Sequence, residues 1–128
     1  MVHLISSRAV EMSLINRVTE AKEINVETTH NFSVNYADNN INCRATLQIG
    51  LIAQGNPDAL TIACTVEGEF LTTEIKSDDD KKQVHVECYR SLFPYAQSLI
   101  SRICLEGGMP PYYFPQMEMT TDNVIINK

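Results

Sequence analysis

The stretch Ile24-Asn25-Val26-Glu27-Thr28-Thr29-His30-Asn31-Phe32-Ser33-Val34-Asn35-Tyr36 decides the fold. Its even positions carry Ile24, Val26, Phe32, Val34 and Tyr36, with Thr28 and His30 in the same phase. Asn25, Glu27, Thr29, Asn31, Ser33 and Asn35 occupy the odd positions. A period of two places successive side chains on opposite faces of a strand. One face is therefore apolar and the other wetted, as antiparallel sheets allow.

Working outward, Ala37-Asp38-Asn39-Asn40 has turn composition. The next run inverts the parity, with Ile41, Cys43, Ala45, Leu47, Ile49, Leu51 and Ala53 in one phase. Gln54-Gly55-Asn56-Pro57-Asp58 reads as a second turn. A further strand then carries Leu60, Ile62, Cys64, Val66 and Phe70 inward. A less regular strand with Val10, Met12 and Leu14 precedes all three. Short connections favour sequential pairing, so a meander is expected. Gly50 and Gly68 interrupt two of these strands and mark bulges or close approaches.

At Ser77-Asp78-Asp79-Asp80 the period changes. These residues cap a helix and complement its dipole. Cys88, Leu92, Tyr95, Ala96, Leu99, Ile100 and Ile103 recur three and four apart, and Gly107-Gly108 stops the run. Pro94 lies inside it, which predicts an irregular start or a kink with the firmest helix beyond. The fold class is thus α+β: a four-stranded antiparallel meander covered by a long C-terminal helix, with residues 1–128 forming one domain.

Beyond the helix, Met109-Pro110-Pro111-Tyr112-Tyr113-Phe114-Pro115-Gln116-Met117-Glu118-Met119 mixes prolines with large apolar side chains. Prolines at this density exclude helix and central strand, so the segment runs extended. Val124-Ile125-Ile126 suits a short final strand.

Ten basic against sixteen acidic residues leave a net charge of −6, a field that repels a phosphate backbone. Nucleic acid is not an expected partner. No apolar run approaches the roughly 20 residues of a membrane span, and no signal-peptide core opens the chain. A cytoplasmic protein without a membrane span is expected. Cys43, Cys64, Cys88 and Cys104 form no close pair and read as buried thiols.

Phosphate-loop, dinucleotide-binding and nucleophile-elbow motifs are all absent. No cluster of acid, base and nucleophile stands out, so an enzyme is not expected, and no cofactor is implied. His85 and Cys88 share a helix face, but a structural zinc site takes four ligands and no second pair exists. Packing is their expected role. His30 reads as a hydrogen-bonded core or interface histidine.

Leu92-Phe93-Pro94-Tyr95-Ala96 on a helix, then Gly107-Gly108-Met109-Pro110-Pro111, resembles the SecB family of export chaperones. The family's leucine-phenylalanine-proline-tyrosine-alanine block matches fully, and its glycine turn matches with Met109 in place of an aromatic. The preceding strands agree in order and approximate length. This resemblance implies a homotetramer built as a dimer of dimers. It also implies an ATP-independent holdase that binds unfolded or nascent polypeptides and hands them to the export motor ATPase.

Phe93, Met109, Tyr112, Tyr113, Phe114 and Met117 are the candidate client-binding residues, forming an apolar groove. Val10, Met12, Leu14 and Tyr95 are the candidate oligomer interface, since an open strand edge invites pairing. The family's first strand is acidic, whereas Ser7–Ser13 offers only Glu11. Asp122–Lys128 stands where the family has a further helix. The alternative is accordingly a SecB-like oligomeric adaptor that serves one specific partner, such as an antitoxin-type client, without a role in export.

Overall fold

The computed structural model describes residues 2–18, 25–39, 41–73 and 75–114. Four strands precede one helix: β1 (Val2–Asn16), β2 (Val26–Tyr36), β3 (Asn42–Ala53), β4 (Leu60–Thr72) and α1 (Asp78–Glu106). All strands pair antiparallel in one sheet of order β1-β4-β3-β2. The α+β class, with four antiparallel strands and a long helix, is as expected. Met117 and the expected strand at Val124–Ile126 lie outside the described residues.

The meander holds for β2, β3 and β4 only. β1 pairs with β4, not β2, so sequential pairing is corrected at that strand. Residues 17–25 contain neither glycine nor proline, so the chemistry of a tight hairpin is missing there. Crossing three strand spacings requires about 14 Å, and nine residues reach roughly twice that.

β1 is irregular for a definable reason. Its register against β4 shifts between Leu4 and Ser6 and again between Ala9 and Glu11. Each shift inserts one residue, Ile5 or Val10, and each inverts the parity. Leu4 pairs with Phe70, Ala9 with Val66, Met12 with Cys64 and Leu14 with Ile62, so all four share the helix-covered face. Val10 is a bulge residue and is out of phase with Met12 and Leu14.

The inward phases of β3 and β4 are buried from Cys43 to Ala53 and from Leu60 to Phe70. On α1, Val84, Cys88, Tyr89, Leu92, Ala96 and Ile100 close over them. Burying each large aliphatic or aromatic side chain stabilises the fold by about 1.5–3 kcal/mol. Gly68 sits at the tightest approach: a Cβ there would lie 2.7 Å from Phe70 Cε2 and 2.9 Å from Leu92 Cδ2.

Local signals set both ends of α1. Ser77, in extended conformation, accepts from the Asp80 amide at 3.2 Å, while Asp80 accepts from the Lys76 amide at 2.9 Å. At the far end Met109 N–H donates to Cys104 O and Gly108 N–H to Leu105 O. That crossed pair is a Schellman closure, and Gly108 supplies the positive φ of 75° it requires. The helix runs from Asp78 to Glu106 through Pro94, so the irregular start, one of the two alternatives expected, is not seen. Pro94 and Arg90 are both exposed, so the proline lies on the solvent side of the helix, where a freed carbonyl is least costly.

The helix crosses the sheet diagonally. Its backbone and side chains meet Tyr36 of β2 at Lys81, Cys43 of β3 at Cys88, Cys64 of β4 at Ala96, and Asn16 of β1 at Gly107. A diagonal helix leaves two corners of the apolar face to other cover.

Candidate functional site

The first corner lies against β2. There the Tyr89 hydroxyl and His30 Nε2 are 2.9 Å apart, and the His30 ring stacks on Tyr89 and on Phe93. Phe32 meets His85 and Tyr89 edge-on. Burial holds both His30 and His85 below the ordinary imidazole range, because a charged ring would be desolvated here. Both histidines are therefore neutral packing groups near pH 7. His85 faces Phe32 whereas Cys88 faces Cys43, 3.9 Å between sulfurs, so the two do not converge as ligands. Among the described residues no three His, Cys, Asp or Glu side chains form a metal-ligating group.

The extended segment after α1 folds back along the same flank. Gln97, one turn beyond Phe93, donates from Nε2 to Tyr112 O at 2.7 Å and accepts at Oε1 from Phe114 N–H at 2.7 Å. Tyr112 and Phe114 meet edge-on at 5.1 Å between centroids. Phe114 is 6% exposed and joins the core, whereas Tyr113 between them is 69% exposed. Met109 and Tyr112 are half-buried against the core.

Of the candidate groove residues, then, Phe93 and Phe114 are core. Met109 and Tyr112 are each half-buried, and Tyr113 projects to solvent. Met117 lies outside the described residues.

The described residues leave the second corner open. Met12 is 48% exposed although it lies on the helix-covered face, and Leu4 and Leu14 on the same face are also exposed. A Cβ at Gly107 would come within 2.9 Å of Leu14 Cδ1, so Leu14 abuts the helix end. Val10 and Ile5, at the bulges, are exposed too. Tyr95 and Leu99, on the helix flank opposite Gln97, are half-buried. Of the candidate interface residues, Val10, Met12 and Leu14 lie on the edge strand β1, with Val10 at a bulge, and Tyr95 lies on the helix. The opposite sheet face is polar: Arg8 pairs with Glu67 and Arg44 with Glu69 across exposed strands.

Sequence reasoning did not find Gln97 or Tyr89. Tyr89 falls three residues before Leu92 and four before Phe93, a spacing that marks it as core. Gln97 carries no sequence signal of its own, since a polar residue on a helix normally faces water.

A family model described as preprotein translocase subunit SecB matches residues 8–121. The chain belongs to the SecB family. Protein-export protein SecB of Caulobacter vibrioides strain NA1000 is 44% identical over 45 residues, 35% of this chain and 28% of that protein. The counterpart from Caulobacter sp. strain K31 is 42% identical over 45 residues, 35% of this chain and 27% of its own length. The matched stretch therefore spans less than a third of either relative. Among solved structures, the Mycobacterium tuberculosis Rv1957 SecB-like chaperone, in complex with a ChAD peptide from the Rv1956 HigA1 antitoxin, superposes with a TM-score of 0.70. That match covers 91% of this chain and 90% of the other at 12% identity, so it shows a shared fold. For this SecB-family chain no described helix is long and apolar enough to cross a membrane.

Proposed function

We propose that this chain is a nucleotide-independent chaperone that holds extended apolar segments of unfolded polypeptides. The observation that carries this reading is the segment 109–114. Tyr113 stands in solvent, Tyr112 and Met109 lie half-open beside it, and Pro110 and Pro111 keep the backbone out of regular structure. An exposed aromatic on a stiff extended strip marks this flank of the helix as a place where extended apolar chain docks.

One buried client side chain contributes about 1.5–3 kcal/mol, so three anchors exceed the cost of ordering a flexible client by only a few kcal/mol. Such contacts release readily. Methionine, as at Met109 and Met117, adapts to varied partners. The β1 edge, unpaired among the described residues, supports self-association, for which a dimer of dimers is the family expectation. No cofactor is needed, the cytoplasm is the expected location, and coupling to the export motor ATPase belongs to the export version of the reading.

A second version has one dedicated client. It is favoured by the solved relative, which is named as a chaperone in complex with an antitoxin peptide. Fluorescence anisotropy of a labelled extended peptide, with aromatic residues at alternate positions, tests the common core of both. Binding in the micromolar range without nucleotide, about −8 kcal/mol, is expected. An unchanged anisotropy at saturating protein refutes the reading.

A further inference from the structure

The Gln97 amide is bonded as a backbone peptide group would be. Its Nε2 donates to Tyr112 O and its Oε1 accepts from Phe114 N–H, skipping Tyr113. A residue in a parallel strand makes this same pair of bonds, to the carbonyl and the amide on either side of its neighbour. The amide cannot be reversed, because that would set its NH2 against the Phe114 N–H. Ser101 Oγ, 3.3 Å from Nε2 and one turn further on, holds the same orientation.

Toward the strip Gln97 bonds only backbone groups, so it reads an extended chain without regard to sequence. The flanking side chains then decide fit: Phe114 inward, Tyr112 half-buried, Tyr113 outward. We infer that Gln97 is a docking point for extended backbone, occupied in the free protein by its own residues 112–114, which a client peptide displaces. This rests on the holdase reading and deepens it. The free protein keeps its site filled by a stand-in, and the occupant's affinity sets how tightly clients bind. A site open for only part of the time binds more weakly by that fraction.

The occupant is chemically specified. It is an extended stretch with an apolar side chain at one position and a second two residues later, and with a free N–H at the latter. Proline there cannot satisfy Gln97 Oε1.

Two variants separate the roles. Phe114→Ala removes the buried ring that seats the strip but leaves Gln97 in place. Gln97→Ala frees the strip and also removes the docking amide. In both, the amide hydrogen at position 114 is expected to exchange at least about tenfold faster than in the wild type. Peptide affinity measured by anisotropy is expected to move in opposite directions, about fivefold tighter for Phe114→Ala and about fivefold weaker for Gln97→Ala. In the wild type, saturating peptide is expected to abolish protection of the Phe114 amide.

Circular dichroism checks the fold. Should Gln97→Ala fail to fold, Gln97→Glu keeps the acceptor for Phe114 N–H while losing the donor to Tyr112 O, and weaker peptide binding is again expected. If both variants release the strip and both weaken binding, the strip is a wall of the groove and not a stand-in, and the inference fails while the holdase reading survives. The same holds if wild-type Phe114 stays protected with peptide bound. If no form binds peptide while the Phe114 amide is protected, the holdase reading itself has failed, and the inference fails with it.

Discussion

Gly68→Ala places a methyl group where the sheet and helix already touch. Its carbon would lie 2.7 Å from Phe70 Cε2, 2.9 Å from Leu92 Cδ2 and 3.2 Å from Phe70 Cζ. Both neighbours are side chains, which would normally yield. Here Phe70 is 1% exposed and Leu92 fully buried, so neither has free space to move into. Overpacking of this kind costs about 1–3 kcal/mol. Replacing a strand glycine with alanine returns roughly 0.5–1 kcal/mol of backbone entropy. Taking the middle of each range, the net expectation is a loss of about 1 kcal/mol, or roughly 3–6 °C in Tm for a chain of this size.

Urea unfolding by circular dichroism at one fixed protein concentration measures it, because association would shift the midpoint with concentration. A companion double mutant sharpens the test. Leu92→Ala alone costs about 2–5 kcal/mol, but it removes one of the two side chains that Gly68→Ala strikes and opens space into which Phe70 can shift. The pair should therefore lose less than the sum of the singles, by about 1 kcal/mol or more. A Gly68→Ala protein as stable as the wild type, or strictly additive losses, would refute the close helix approach.

Thiol reactivity follows from burial: Cys43, Cys64, Cys88 and Cys104 are all buried, and burial pushes the Cys64 thiol up to about 11. Ellman's reagent at about pH 8 should label none of them quickly in the native protein and all of them in denaturant, and rapid native labelling would contradict this core. Acid should weaken the fold, since burial holds His30 and His85 below their ordinary value of 6.5. As pH falls through 6.5 the unfolded chain takes up protons that the folded chain refuses, so the urea midpoint should drop between pH 7.5 and pH 5.5. A flat profile, or one unaffected by changing both histidines to glutamine, would count against neutral packing of these rings. Met12→Lys should lower the oligomer mass in light scattering without unfolding the subunit, because Met12 is 48% exposed in the lone chain. An unchanged mass would remove the β1 edge from the interface.

Much of the fold was legible in the sequence. The alternation in residues 24–36 and 41–53 gave the strands because each has one wet face, and Ser77 with Gly107-Gly108 bounded the helix chemically. β1 was harder to read because Ile5 and Val10 each reset its parity, so no single phase spans Val2–Asn16. Its partner was hidden for another reason: strand order depends on which edge lies free after folding, and nothing in residues 17–25 records that. Pro94 suggested an irregular helix start that is not seen, because proline's cost depends on the surface around the freed carbonyl, a property of the tertiary structure. At the site, the prolines and aromatics of 109–114 announced an extended apolar strip. They could not announce Gln97, whose role exists only once the strip has folded back on the helix.

The most direct test of chaperone function is light scattering from a reduced, chemically unfolded client diluted into buffer with and without this protein, in the absence of nucleotide. Scattering should be suppressed in proportion to added protein until the client is matched. If an excess of folded protein leaves the scattering curve where it was, the exposed strip around Tyr113 has some other use, and the holdase reading is wrong.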